Sequence, residues 1–324
     1  MMKLKLIASA LFLGLISLNL QAQPVKKHGH LSVKGIQLTD EHGQATVLNG
    51  VSYGWHNWWP RFYNKESVKW LAEDWRCSAV RAAMGIDPDK GYIDQPDWSK
   101  EKVEAVIQGA IENDIYVLID WHSHSIKLEE AKVFFAEMAH KYGKNPHVIY
   151  ELFNEPVKDS WPLVKAYSIE LIKTIRAIDP DNIILVGNPH WDQDIHLVAD
   201  DPIEGFSNLM YTCHFYAGTH GKFLRDRCDY ALQKGIPIFI SESAGMEASG
   251  NGPTNYTEWQ NWIDWCETNK ISLITWSIAD KNETCSMLKP SASSKGNWKE
   301  EDLKESGIKT RELLRKLSKK AADY

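Results

Sequence analysis

Eight apolar, β-branched runs of strand length recur along this 324-residue chain, and their regular alternation with helix-like segments constrains its fold most strongly. The runs occupy residues 47–54, 79–85, 116–122, 148–156, 182–188, 209–216, 237–243 and 272–278. Between them lie segments whose apolar residues recur near every 3.6 positions, such as 101–113, 129–141, 161–178, 222–233 and 257–267. Strands that are apolar nearly throughout are buried on both faces, the condition of a parallel sheet covered by its own crossover helices. Eight such units in about 300 residues predict an α/β chain folded as a closed (β/α)8 barrel rather than an open doubly wound sheet.

The flanks fit that reading. Residues 31–44 alternate in polarity and carry a turn at Glu41-His42-Gly43, which predicts a small β-hairpin plugging the N-terminal mouth of the barrel. After the eighth run, 281–298 reads as a long polar loop and 301–319 as a closing helix. No linker rich in Pro, Ser or Thr and no solenoid-length repeat interrupts the chain, so residues 23–324 are expected to form one domain. Residues 1–22 stand apart. Lys3 and Lys5 precede an apolar stretch over 6–20, and Leu20-Gln21-Ala22 offers a cleavage site, the three-part form of a secretory signal peptide. The apolar stretch falls short of the roughly 20 residues a membrane span needs. The mature chain is therefore expected to be secreted or periplasmic, free of the membrane and monomeric.

Charge excludes one class of partner. Lys and Arg total 37 against 43 acidic residues, for a net −6, so the basic surplus of a nucleic-acid binder is missing. Fourteen Trp are a heavy aromatic load and point to flat apolar platforms for a ligand as well as to core filling. The five Cys are an odd number, and a chain this long builds its core without staples, so mostly buried thiols are expected.

In a barrel of this kind the active site lies at the C-terminal ends of the strands. There, after successive apolar runs, stand Arg81, His122, Asn154-Glu155, His214 with Tyr216, Glu242 and Trp276. Two carboxylates after the fourth and seventh runs point to glycoside hydrolysis by double displacement, in which one carboxylic acid protonates the leaving oxygen and one carboxylate attacks the sugar.

These residues also carry a resemblance. The segments Val80-Arg81-Ala82-Ala83-Met84, Ile119-Asp120-Trp121-His122, Tyr150-Glu151-Leu152-Phe153-Asn154-Glu155-Pro156, His214-Phe215-Tyr216-Ala217 and 276–288 are similar to glycoside hydrolase family 5. Within it the chain resembles the bacterial endo-β-1,4-glucanases, or cellulases, over residues 31–307. A lone Asn-Glu-Pro is weak, but five motifs in order at strand ends are specific.

The resemblance implies Glu155 as general acid/base, Glu242 as nucleophile and Asn154 as donor to the sugar 2-hydroxyl, with His122 and His214 holding substrate and carboxylates in place. It implies sugar stacking by Trp276 at the non-reducing side, with Lys281 and Glu283 hydrogen-bonding the sugar hydroxyls and Asn282 a further substrate-binding residue of that loop, platforms at Trp58, Trp59 and Trp191, and substrate contacts from Ala248 and Ser249. It calls for no cofactor and no metal. A working acid should sit where its charged form is disfavoured, and Arg81 with the Tyr216 hydroxyl would keep the nucleophile ionised.

Some residues carry plainer readings. Glu151 is expected to pair inside the barrel, and Trp70, Trp75, Trp262 and Trp265 to pack helices. Ser243, Gly54, Gly85 and the stretch 55–59 depart from the family's common pattern, which bears on substrate preference more than on mechanism. Two rivals remain: a metal-dependent hydrolase using His122, His124 and His214, which a chelator would silence, and a non-catalytic carbohydrate-binding barrel, which would turn nothing over. Among polymers, cellulose-type β-1,4-glucan is expected ahead of mannan, xyloglucan, lichenan and xylan, and soluble or amorphous forms ahead of crystalline cellulose.

Overall fold

In a computed structural model of the chain, which describes residues 23–322, parallel pairing joins eight strands into a ring. The segment read as a signal peptide lies outside the described residues. Strands β1 (Ser32–Lys34) and β2 (Gln37–Thr39) form a separate antiparallel pair. The ring consists of β3 (Asn49–Tyr53), β4 (Ala79–Gly85), β5 (Tyr116–His122), β6 (Val148–Glu151), β7 (Ile184–Val186), β8 (Leu209–Tyr216), β9 (Ile238–Ala244) and β10 (Leu273–Ile278). β10 pairs with both β9 and β3, which closes the barrel. This is a TIM barrel.

Three strands coincide with the predicted runs. The fourth is shorter: the strand ends at Glu151, while the apolar run continues to 156. Leu152 and Phe153 are fully buried, and Leu152 N–H still donates to Leu185 O at 3.0 Å, so burial and continuing backbone bonds made the run look long. Helices cover Pro96–Glu112, Leu128–Tyr142, Trp161–Arg176, Lys222–Gln233 and Tyr256–Asn269. The first begins earlier than its apolar period implies because Pro96 sits at its first turn, where a missing N–H costs nothing. The closing helix is Glu305–Ala322, with a short 3-10 turn at Glu300–Asp302 before it.

The hairpin turns at Gly35 rather than at 41–43. Gly35 has φ 60°, a left-handed conformation that suits glycine. The turn at 41–43 is real but local, with the Asp40 carboxylate accepting from the N–H groups of His42 and Gln44. Val25, Leu31 and Leu38 pack against Leu118, Ile149, Leu185, Met210, Phe239 and Ile274, the apolar lower layer of the barrel interior. Period-two alternation then lifts a polar layer above that one. Two residues on from Ala79, Leu118, Ile149 and Met210 stand Arg81, Asp120, Glu151 and Thr212, all buried. The chemistry is thus raised to the C-terminal end above an apolar layer. Among the described residues no helix is long and apolar enough to cross a membrane.

Candidate active site

Arg81 organises the floor. Its Nε donates to Glu151 Oε2 at 2.7 Å and its Nη2 to Glu151 Oε1 at 3.1 Å. Nη2 also donates to Asn154 Oδ1 at 2.7 Å, and Nη1 to Glu242 Oε2 at 3.0 Å. Burial opposes the guanidinium charge, but the carboxylates of Asp120, Glu151 and Glu242 hold its pKa well above the ordinary value. Glu151 is the barrel-internal partner the sequence predicted. Burial raises its carboxyl, but the charges of Arg81 and His214 and the hydrogen bonds from both together draw it down to about 2.

Asn154 and Glu155 reach the site on the segment after β6, which keeps backbone bonds to β5: Asn154 N–H to Trp121 O at 3.1 Å and Glu155 N–H to Ser123 O at 3.2 Å. Because Asn154 Oδ1 faces Arg81, the amide orientation is determined. Its Nδ2 is buried and has no partner within the protein.

Glu242 comes from β9, and local periodicity would misplace it. Between Thr212 and His214 of β8 the partner residues jump from Phe239 to Glu242, so β9 carries one extra residue. This bulge lets Ser241 and Glu242 both serve the interior, where strict alternation would send one of them outward. Glu242 Oε1 accepts from the Tyr216 hydroxyl at 2.7 Å. Ser243, the departure after Glu242, donates to Ile274 O at 2.8 Å and stays buried in the wall.

His214 links the layers. Ser241 Oγ donates to Glu151 Oε1 at 2.7 Å, so it accepts from His214 Nε2–H at 2.9 Å. That leaves Nδ1, 3.0 Å from Glu155 Oε1, to share a proton with the carboxyl. Burial opposes the imidazolium, but Asp192, Glu151 and Glu155 raise its pKa well above the ordinary value.

The charge order differs from expectation. Glu155 was expected where its charged form is disfavoured, yet its carboxyl lies at about 2: burial raises it, and hydrogen bonds from His124 and His214 more than reverse that. Glu242 was expected low, yet burial and then the Glu155 charge push it up, against the help of His214, Arg81 and Tyr216. The reason is partnership. Both Glu155 oxygens face imidazoles, whereas Glu242 shares one guanidinium with Glu151 and Asp120.

His122 Nδ1 lies 2.6 Å from Asp120 Oδ2, and Trp276 stacks on the His122 ring at 5.3 Å with planes 4° apart. The set His122, His124 and His214 is not gathered round one point. What is gathered is one atom each of Glu155, His214 and Glu242, within 4.8 Å of one another.

Above these residues opens a cleft of about 650 Å³. Trp58, Trp59, Trp191, Ala248, Ser249, Trp276, Lys281 and Glu283 line it, with His122, Glu155, His214, Tyr216 and Glu242 at its base. Asn282 is exposed and does not line it, because Lys281 and Glu283 turn inward on either side of it and form an ion pair. Trp75 and Trp262 are core residues, and Trp70 and Trp265 pack against the core.

Gly85 has no room for a side chain, since a Cβ there would meet Asn57 Oδ1 at 2.5 Å and Trp55 at 2.8 Å. Trp55 fills that space and lines the cleft, a role the sequence did not reveal. His190, Phe223 and His124 also line the cleft unpredicted. His124 had a signal, its i+2 spacing from His122. Trp191 reaches the cleft through three successive left-handed residues, His190, Trp191 and Asp192 at φ 59°, 55° and 59°, anchored where Asp192 Oδ1 accepts from Asn188 N–H at 2.7 Å.

A family model for cellulases, glycosyl hydrolase family 5, matches residues 39–282. Endoglucanase 5 of Pectobacterium carotovorum subsp. carotovorum is 44% identical over 303 residues, 91% of this chain but 59% of that protein. The chain thus spans somewhat over half the length of that relative. A solved structure from Cytophaga hutchinsonii superposes with a TM-score of 0.91 at 43% identity, covering 93% of this chain and 99% of the other. A variant of the catalytic domain of Thermobifida fusca endoglucanase Cel5A, solved in complex with cellotetraose, gives 0.86 at 31% identity, covering 91% of this chain and 100% of the other. With two carboxylates, their histidine and arginine partners and an aromatic cleft at the C-terminal end of a TIM barrel, the chain belongs to glycosyl hydrolase family 5, the cellulases.

Proposed function

We propose that the chain is an exported endo-β-1,4-glucanase that cleaves cellulose-type glucan with retention of configuration, Glu242 attacking the sugar and Glu155 serving as acid and then base. The single observation behind the mechanism is the 4.8 Å limit on the atoms of Glu155, His214 and Glu242. Retaining glycosidases bring their carboxyl groups to about 5–5.5 Å, and inverting ones keep them about 6.5–9.5 Å apart to admit a water. Glucan as substrate is supported by relatives named endoglucanases and by the cellotetraose bound to the Thermobifida fusca variant. Export rests on the sequence of residues 1–22.

In the first step the Glu155 carboxyl gives its proton to the glycosidic oxygen, that C–O bond breaks, and a Glu242 oxygen bonds the anomeric carbon. In the second, Glu155 takes a proton from water, whose oxygen displaces Glu242. Arg81 and Tyr216 orient Glu242 and stabilise it as it leaves. The unpartnered Nδ2 of Asn154 supplies two donors for the sugar 2-hydroxyl, a contact that strengthens as positive charge develops on the ring. Trp276 is the platform above the reacting sugar, and the open cleft suits the interior of a polymer chain.

The test is release of reducing sugar from carboxymethyl-cellulose, mannan, xyloglucan and xylan by the parent, Glu155→Gln and Glu242→Gln. Activity greatest on carboxymethyl-cellulose, falling by about 10⁴-fold or more in Glu242→Gln, is expected. NMR of the first product should show the β anomer. The α anomer would overturn the mechanism, and silence on all four polymers the activity.

A further inference from the structure

Glu155 has two carboxyl oxygens, and each faces an imidazole. Oε1 is 3.0 Å from Nδ1 of His214, a ring almost wholly buried against Ser241 and Asp192. Oε2 is 3.3 Å from Nε2 of His124. The two imidazoles differ in access: the His124 side chain is 43% exposed, against 1% for His214. His124 therefore joins the Glu155 carboxyl to the solvent of the cleft.

Its placement is built in. His124 follows His122 by two residues just beyond β5, and Glu155 N–H donates to the carbonyl of the intervening Ser123, which ties the two segments together. The Trp55 ring packs 5.6 Å from the His124 ring and limits its swing. The charged and titratable groups around it come from several elements. Glu155 and Glu242 face it from the ends of the fourth and seventh barrel strands, Asp87 from the segment after β4, and His122 from β5 with ring centres 6.4 Å apart. Asp87 in turn pairs with Lys127 at 3.3 Å. Burial lowers the His124 pKa, but the Glu155 hydrogen bond and the Glu155, Glu242 and Asp87 charges raise it above its ordinary value.

We propose that His124 is a further working residue of this site, a positioning and proton-holding group that shares with Glu155 Oε2 the proton delivered to the leaving oxygen. The inference rests on Glu155 being the acid/base. In the free site the proton lies on His124 Nε2 and Glu155 is a carboxylate. When a glucan chain fills the cleft and excludes water, separated charges lose their solvation, and the proton passes to Oε2, leaving neutral imidazole and neutral acid. Oε2–H then protonates the glycosidic oxygen while Glu242 bonds the anomeric carbon. In the second step Glu155 takes a proton from the attacking water, which restores the pair. Protons balance over the cycle, and no further reactant is needed.

The experiment compares His124→Gln with the parent in kcat/KM against pH, on cellotetraose and on a dinitrophenyl β-cellobioside. Gln keeps an N–H donor for Oε2 but cannot hold a proton. With cellotetraose, whose leaving sugar needs the acid, the alkaline limb should move down by about one pH unit or more, a tenfold loss of kcat/KM at a fixed alkaline pH. With the dinitrophenyl substrate, whose leaving group needs no proton, the limb should not move. A uniform loss at every pH, or equal limb shifts on both substrates, would make His124 a structural or sugar-binding residue and overturn the proposal. Glu155→Ala separates the two levels. If it loses cellotetraose cleavage and keeps the dinitrophenyl reaction while His124→Gln moves neither limb, only the role of His124 fails. If it keeps both reactions, the acid/base reading fails as well.

Discussion

Arg81 and Glu151 meet at the centre of the barrel through two parallel hydrogen bonds, Nε to Oε2 at 2.7 Å and Nη2 to Oε1 at 3.1 Å. This fork-to-fork geometry spends one edge of the guanidinium on a carboxylate that does not line the cleft, and leaves Nη1 for Glu242. The pair orients Glu242, whose carboxyl rises because burial and the Glu155 charge exceed what His214, Arg81 and Tyr216 recover.

Removing one member of such a buried pair leaves the other uncompensated. Arg81→Met is expected to destabilise the protein by about 3–5 kcal/mol in urea unfolding. It should also abolish turnover, because Asn154 and Glu242 lose their common donor. A loss under about 1 kcal/mol would mean that the floor relaxes around the missing charge.

Trp276 serves as a cleft wall and as the plate on which His122 rests. Trp276→Ala should raise KM for cello-oligosaccharides about tenfold, the equivalent of ~1.4 kcal/mol of lost stacking. It should also lower kcat, since the His122 ring loses its support. Steady-state kinetics separate the two effects, and a change in KM alone would show that His122 holds its place without Trp276.

Asp192 gives a pH prediction. Burial raises its carboxyl from 3.8 to about 8, beyond what His214 and Thr212 recover. The unfolded chain loses this proton near pH 3.8 and the folded chain only near 8. Between these values the folded state binds more protons, so stability falls with rising pH, by at most about 1.4 kcal/mol per unit, and levels off above 8. Asp192→Asn removes that slope. The difference in unfolding free energy between variant and parent should therefore shift in favour of the variant from pH 5 to pH 8. A pH-independent difference would mean Asp192 is ionised throughout.

The cysteines predict silence. All five are buried and unpaired, and burial raises the thiols of Cys77, Cys266 and Cys285 beyond the usual range. A disulfide reagent should find no fast-reacting thiol in the native protein and five after denaturation. Cys213 and Cys228, with sulfurs 3.5 Å apart, are the pair to watch: three thiols instead of five would mean that they join.

Much of this was legible because it is local. An apolar run of strand length followed by a 3.6-residue period describes one strand and its covering helix, and eight repeats leave few closed arrangements. A polar residue ending an apolar run marks a strand end, and in a parallel barrel all such ends share one face. His122, Asn154, Glu155, His214, Tyr216, Glu242 and Trp276 stood out one by one as polar or aromatic residues in or after such runs, Arg81 as a charge inside its run rather than at its end, and Glu151 as an internal partner of the barrel.

What the residues do to one another was not readable. The extra residue in β9 that turns Glu242 inward, the left-handed run at 190–192 that aims Trp191, and the imidazoles on both oxygens of Glu155 all depend on residues far apart in the chain. A local pattern carries period and polarity but no register, and register sets the neighbours of each charge. The amino-acid order therefore marks many of the groups that stand at the mouth of the barrel, though not Trp55, His190 or Phe223. Ring closure settles their distances, and with the distances the charge order in which Glu155 lies low and Glu242 high.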